Sequence, residues 1–425
     1  MNNSPSSFKA LLAGTSGTIL QWYDFAIFGY FAPIIALTFF PKGNATAGLL
    51  NTFTVFAVGY LLAPLGALAF GYIGDHYGRK RALSFSILGM AFATASLSIL
   101  PGFDSIGILA PILVTLIRIT QGFVASSEFT GSAIFLVEHA KPGRKAFYGC
   151  LTSSAYSTGV ILAGLMASFL TASMMPSWSW RLGFAFALVA GVIIFYLRIH
   201  VAETPVYQRI PASKKSNQPI FSAIQQAPIA FIGVIGLAAL IGIMTFGTYV
   251  FAETFVHHYF KISLSTMTLL TTLALAVDAL LEPCVALLAD KIGYLRIMIF
   301  GIFLILLTSF PLFYLLTTSN ILLIMLSLMS FSVLIAITFA PMNAYMAELF
   351  PEHCRYSGFG VAFHIGISLF GGTTPLLMMW LIEKTNSLTA PAYYYIFGAL
   401  LGLSAIALCE YGRRKTQQEE ILVAF

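Results

Sequence analysis

Twelve long apolar runs, separated by short loops that hold most of the charge, constrain this chain more than any other feature. They fall near residues 13–40, 48–72, 82–100, 106–138, 147–172, 180–200, 226–256, 263–289, 296–317, 320–349, 356–383 and 389–410. Runs of this length can cross ~30 Å of hydrocarbon as helices. In lipid each segment must satisfy its own backbone polar groups, which selects helices over open strands. Only 9% of the residues are charged, against about a quarter in a soluble domain, so most of the surface is suited to lipid. The expected class is an all-α polytopic membrane protein with 12 transmembrane helices.

The polar stretch 201–222, with Glu203, Arg209, Lys214 and Lys215, divides the runs six and six. The predicted organisation is an N-terminal six-helix bundle over 1–200 and a cytoplasmic linker over 201–222. A C-terminal six-helix bundle then fills 223–425 and ends in a short basic tail. With both termini placed in the cytoplasm, 17 of the 22 Lys and Arg residues fall on that side. Four (Lys42, Arg181, Lys261 and Lys384) fall opposite, and Arg118 alone remains in the membrane. This asymmetry follows the positive-inside rule and supports the even span count. No short signal core precedes the first run, which is expected to stay in the chain.

The net charge of +6 is spread between the runs rather than gathered on one face, which argues against a nucleic-acid partner. The cysteines Cys150, Cys284, Cys354 and Cys409 show no ligand spacing, so neither a disulfide framework nor a metal site is expected. No nucleophile–base pair or nucleotide loop is evident, so the chain is not expected to be an enzyme or to hold a cofactor.

Two motifs recur at about half the chain length. Gly71-Tyr-Ile-Gly-Asp75-His-Tyr-Gly78-Arg79-Lys80 returns as Leu287-Leu-Ala-Asp290-Lys-Ile-Gly293-Tyr-Leu-Arg296, and Val137-Glu138 through Arg144 returns as Ala347-Glu348 through Arg355. Such duplication implies a repeated six-span unit with a solute site between the copies, a transporter architecture.

At these motifs the chain resembles the major facilitator superfamily, and within it the metabolite:proton symporters that include proline/betaine, alpha-ketoglutarate and citrate carriers. The loop pattern is carried by Gly71, Asp75, Gly78, Arg79 and Lys80. The subgroup is marked by Trp22-Tyr23-Asp24-Phe25, Arg118 with Gln121-Gly122-Phe123, Glu128, Phe135-Leu-Val-Glu138, Trp180-Arg181 and Glu203-Thr204-Pro205. Ala347-Glu348-Leu-Phe-Pro351 with Arg355, and Phe370-Gly-Gly-Thr-Thr-Pro375, complete the match. Gln21 stands where the group commonly has Glu, and Ser126 and Ser127 stand where it has Gly-Gly. Asp278 and Glu282 are also outside its pattern. The resemblance implies two pseudo-symmetric bundles around a central cavity, in the inner membrane of a bacterium. It also implies a charged inner latch drawn from Asp75, Arg79, Glu138, Arg144, Asp290, Glu348 and Arg355.

The interior ionisable set is Asp24, Arg118, Glu128, Glu253, Asp278 and Glu282. Charges at bilayer depth are costly and mark pathways or partners. Arg118 is the expected ligand for a solute carboxylate, with Gln121, Gln21, Tyr23, Trp22, Ser127, Asn343 and His364 lining the cavity. Glu128 and Asp24, which could meet and leave Arg118, are the leading proton carriers. Asp278 is a further candidate, sharing a helix face with Glu282. One interior cation among five acids suits a zwitterion better than a di- or tricarboxylate. The expected function is proton-coupled uptake of a small carboxylate-bearing metabolite, most readily an amino acid or betaine-like solute. Organic-acid symport and, less favoured, efflux by antiport are the alternatives. A small molecule and the bilayer are the expected partners, with no obligate protein partner.

Overall fold

The computed structural model describes residues 6–41, 62–211 and 217–423, with the isolated positions 52, 55, 59 and 213. Lys42, Lys214 and Lys215 of the charge count, and most of the run at 48–72 before residue 62, lie outside the described residues.

The described chain is helical almost throughout, as a bilayer requires. In the N-terminal half α1 (Ser6–Tyr30) bends by 66° into α2 (Ala32–Phe39), just before Pro33. There follow α3 (Ala63–His76), α4 (Arg79–Ile99), α5 (Leu109–Ala125), α6 (Glu128–Glu138), α7 (Lys145–Leu170) and α8 (Trp180–Ile199). The linker ends in α9 (Pro219–Gln226). The C-terminal half holds α10 (Pro228–Phe246), α11 (Ala252–Phe260), α12 (Leu264–Ile292), α13 (Tyr294–Leu316) and α14 (Ile321–Phe339). It closes with α15 (Met342–Glu348), α16 (Arg355–Gly366), α17 (Thr374–Thr385) and α18 (Pro391–Val423). Among the described residues ten helical stretches are long and apolar enough to cross a membrane, and the bent pair α1–α2 makes an eleventh. The second run contributes α3. The outcome is the expected twelve-span arrangement in two bundles.

Four spans are interrupted near their middle. Ser126 and Ser127 separate α5 from α6, the wider turn Gly247–Phe251 separates α10 from α11, and Ala340–Pro341 separates α14 from α15. A second wide turn, Ile367–Gly371, separates α16 from α17. Irregular backbone at membrane depth is tolerated where it is buried in protein or lines a cavity. Ser126, Phe246, Phe339 and Ile367 do line one.

The two halves meet along two helix pairs related by the repeat, α3 against α16 and α7 against α12. Ala10 and Ala13 near the start of α1 cluster with Leu83, Phe135 and Val201, and Tyr345 reaches Glu410 near the end of α18 (2.9 Å). Both ends of the chain therefore lie at one face, together with the loops richest in Lys and Arg, called here the basic face.

One charge is placed differently from the count above. Arg198, assigned there to a loop, is 2% exposed in the last turn of α8. Its Nη1 and Nη2 donate to the two carboxylate oxygens of Glu128 (2.9 and 2.7 Å), and Ser86 Oγ donates to the same group (2.6 Å). Nε also donates to the Ala13 carbonyl (3.0 Å) and Nη1 to that of Leu83 (2.5 Å). The pair staples α1, α4, α6 and α8. Arg118 is thus not the lone interior cation. Removing one partner of a buried pair costs about 3–5 kcal/mol, whereas apolar replacement of both is often neutral. Arg198→Leu should therefore destabilise the protein by about that amount, and the double variant Glu128→Leu with Arg198→Leu should recover most of it. Unfolding in mixed detergent checks this; a double variant no more stable than the single one contradicts it.

Candidate substrate cavity and latch

A cavity of about 100 Å³ lies between the halves. The N-terminal half supplies Gln21, Trp22, Phe25, Ser126, Ser153 and Tyr156, and the C-terminal half supplies Tyr249, Asp278, Glu282, Asn343 and His364. Asp278 and Glu282 stand one turn apart on α12, so both carboxylates project from one face. Pro283 follows them; a proline inside a helix removes the hydrogen bond to the carbonyl four residues earlier, here that of Ala279. Ser154 of the opposite half lies 3.4 Å from that carbonyl and 3.4 Å from Glu282 Oε2, bridging α7 to the carboxylate. Asn343 Nδ2 donates to Ser153 Oγ (3.1 Å) and to the Gly149 carbonyl (3.2 Å), a second tie between the halves.

Among the described residues no Lys or Arg lines this cavity. Among the described residues three buried polar atoms on its wall have no hydrogen-bond partner: Asp278 Oδ1, Trp22 Nε1 and Gln21 Oε1. They provide one carboxylate acceptor, one N–H donor and one amide end, from opposite halves. Trp22 packs edge-on to Tyr156 at 4.4 Å, so the N-terminal wall is aromatic.

The predicted site residues divide cleanly by position. Gln21, Trp22, Asn343, His364 and Asp278 line the cavity, and Ser126 lines it beside them. Arg118, Gln121, Tyr23 and Ser127 do not. Arg118 is fully buried behind the wall, its guanidinium 4.2 Å from the Phe28 ring and 4.9 Å from that of Phe25. It lies 3.7 Å from Asp24 Oδ2 and donates to Gln121 Oε1 (3.0 Å), while Asp24 Oδ1 accepts from Gln121 Nε2 (2.8 Å) and Thr94 Oγ1 (2.9 Å). Tyr23 donates to the Gly183 carbonyl (2.8 Å), and Ser127 bonds across the halves to Tyr356 Oη (2.7 Å). The residues that spacing alone did not single out are Ser153, Tyr156 and Tyr249; their aromatic and hydroxyl side chains look like ordinary packing groups in sequence.

At the basic face the latch is symmetric. Asp75 at the end of α3 accepts the backbone N–H groups of Tyr356 (3.0 Å) and Ser357 (2.8 Å), in the first turn of α16. Asp290, its repeat partner on α12, accepts those of Ala146 (2.8 Å) and Phe147 (2.9 Å), in the first turn of α7. Each carboxylate satisfies two orphan donors and faces the positive end of a helix dipole in the other half. The turns that aim them need Gly78 (φ +116°) and Gly293 (φ +101°), which occupy equivalent repeat positions in a region L side chains avoid.

Ion pairs repeat as well. Glu138 meets Arg355 at 3.0 Å, and its counterpart Glu348 meets Lys145 at 2.5 Å. Lys145, not the exposed Arg144 named from sequence, is the partner on that side. Buried Arg79 joins Asp75 (3.1 Å), Glu138 (3.4 Å) and the Glu352 carbonyl (2.6 Å). Glu138 also accepts from Thr204 Oγ1 (2.5 Å), fastening the linker. Nearby Glu203 caps α4 through the Lys80 N–H (3.2 Å); burial pushes its carboxyl upward in pKa, and the Thr204 and Lys80 amides pull it back.

These contacts tie the two halves together at the basic face. The sequence pattern of the Major Facilitator Superfamily matches residues 15–369 and again 235–422. The chain belongs to this superfamily. A protein of Staphylococcus haemolyticus is 31% identical over 418 residues, covering 96% of this chain and 88% of its own. The proline/betaine transporter of Escherichia coli is 30% identical over 411 residues, covering 93% and 82%. Among solved structures a proton:xylose symporter of the superfamily aligns with a TM-score of 0.78 at 16% identity, over 95% of both chains. The human organic anion transporter MFSD10 aligns with 0.69 at 13% identity, over 96% and 100%. The protein is therefore a multi-pass membrane transporter of the Major Facilitator Superfamily rather than an enzyme.

In this superfamily member the two helix caps predict equal and separable effects. A hydrogen bond to a charged group contributes about 1.5–3 kcal/mol, so Asp75→Asn or Asp290→Asn should each shift the closed population at the basic face by about tenfold or more. Spin labels at exposed Arg144 and Lys291 would report this as a longer-distance population. An unchanged distance distribution in both variants contradicts the latch.

Proposed function

We propose that the protein is a proton-coupled symporter that takes up a small zwitterion, with a betaine or an amino acid such as proline as the solute class. The observation that carries this reading is the cavity wall, where two carboxylates face aromatic rings with no Lys or Arg among the described lining residues. A substituted ammonium suits such a wall, by charge at Asp278 and Glu282 and by cation–π contact with Trp22, Tyr156 and Tyr249. The solute carboxylate would be held by neutral donors, Trp22 Nε1 foremost, with the amide of Gln21. The names of the relatives support the same class.

Two acids sharing one site without a basic partner are stable together when a proton or a bound cation neutralises one of them. Asp278 with Glu282 is therefore the proposed coupling site, since a proton on one acid leaves the other to take the ammonium, so that both are carried together. Glu128 and Asp24 are less suited, each already committed to an arginine. The basic face is the cytoplasmic one in this reading, so the closed latch describes an outward-facing or occluded state. A wall with no arginine among its described residues disfavours di- and tricarboxylates.

The reading predicts saturable uptake of glycine betaine or proline into proteoliposomes under an inward proton gradient. Asp278→Asn should lower kcat/KM at least about tenfold, the effect of removing one charge-assisted contact. Citrate or ketoglutarate uptake with no zwitterion uptake contradicts the reading.

A further inference from the structure

A second cavity, of about 200 Å³, lies on the side of the first away from the basic face. Trp22, Phe25, Tyr156 and Tyr249 line both, so an aromatic partition is all that the two share. Beyond it the outer cavity is lined by Tyr30 of α1, by Glu253 of α11, and by Thr268, Thr271 and Thr272 of α12. Glu253 accepts hydrogen bonds from the hydroxyls of Thr268 and Thr271, two donors that hold the carboxylate in one orientation. Among the described residues no Lys, Arg or His lines this cavity.

The route into the centre thus presents a carboxylate beside aromatic rings twice, at two depths. We infer that Glu253, with Tyr30 and the outer faces of Trp22 and Tyr249, forms an outer binding station for the substituted-ammonium end of the solute, which it occupies before passing the partition to Asp278 and Glu282. The inference rests on the zwitterion reading above and adds a site to it. A carboxylate held by two threonine hydroxyls keeps its remaining lone pairs for a ligand cation. Rings on the opposite half supply the faces against which a methylated ammonium packs. The station is assembled from both halves, from Tyr30 and Trp22 on one side and Glu253 on the other. It therefore rearranges when the outer mouth closes, which would pass the solute inward.

The probe is tetramethylammonium, which carries the cationic end and nothing else, with glycine betaine beside it. Binding is measured calorimetrically on the full-length protein in detergent, with thermal unfolding as the check on folding. The native protein should bind both. Asp278→Asn with Glu282→Gln should lose glycine betaine binding but retain weak tetramethylammonium binding at the outer station. Adding Glu253→Gln should weaken that residual binding by at least about tenfold, and Glu253→Asp should keep part of it. Residual binding that survives Glu253→Gln, or no residual binding in a folded inner-site variant, overturns the outer station while leaving the zwitterion reading intact. A native protein that binds neither probe overturns both.

Discussion

The cost of an unbalanced charge in hydrocarbon organises this molecule. Each fully buried arginine in the N-terminal half is answered by acids: Arg198 by Glu128, Arg118 by Asp24, Arg79 by Asp75 and Glu138. Those clusters fasten helices within a bundle or close the latch. The acids of the two cavities are the exception. Asp278, Glu282 and Glu253 face space and hydroxyls instead of a basic side chain among the described lining residues. Groups that structure alone would have paired are left for something that arrives and leaves, which is the property a transport site needs.

Closure at the basic face has a different physical basis, and its symmetry is instructive. A carboxylate on the second or eighth span reaches across to the first turn of a helix in the other half. It binds two N–H groups there that no intrahelical partner can satisfy. The same contact is built twice from a duplicated motif, so neither half of the interface is privileged. Asp278 and Glu282 sit on α12, the same helix whose end carries Asp290.

The twelve runs, the two bundles and the latch acids Asp75, Asp290, Glu138 and Glu348 were legible in the sequence because hydrophobic length and internal repetition are chemical facts of the chain. Arg198 was not, since it closes an apolar run just before a polar linker and reads as a loop charge; only packing shows that it turns inward to Glu128. Arg118 was recognised as interior but not as turned away from the cavity. A span that is apolar on most sides carries no periodicity that distinguishes a neighbouring bundle helix from the central space. Asp278 and Glu282 were seen to share a face, yet which face could not be read without α7 opposite them. Lys145 displaced Arg144 from the latch by a single position, about 100° around a helix, which is beyond what motif alignment resolves.

The most direct test of the account is a structure of the protein with glycine betaine bound. The account predicts the trimethylammonium group against Asp278 and Glu282 and within about 6 Å of the Trp22, Tyr156 or Tyr249 rings, with the carboxylate toward Trp22 Nε1 and Arg118 still behind Phe25. A solute whose carboxylate has displaced Asp24 from Arg118, leaving the α12 acids without contact, would contradict it.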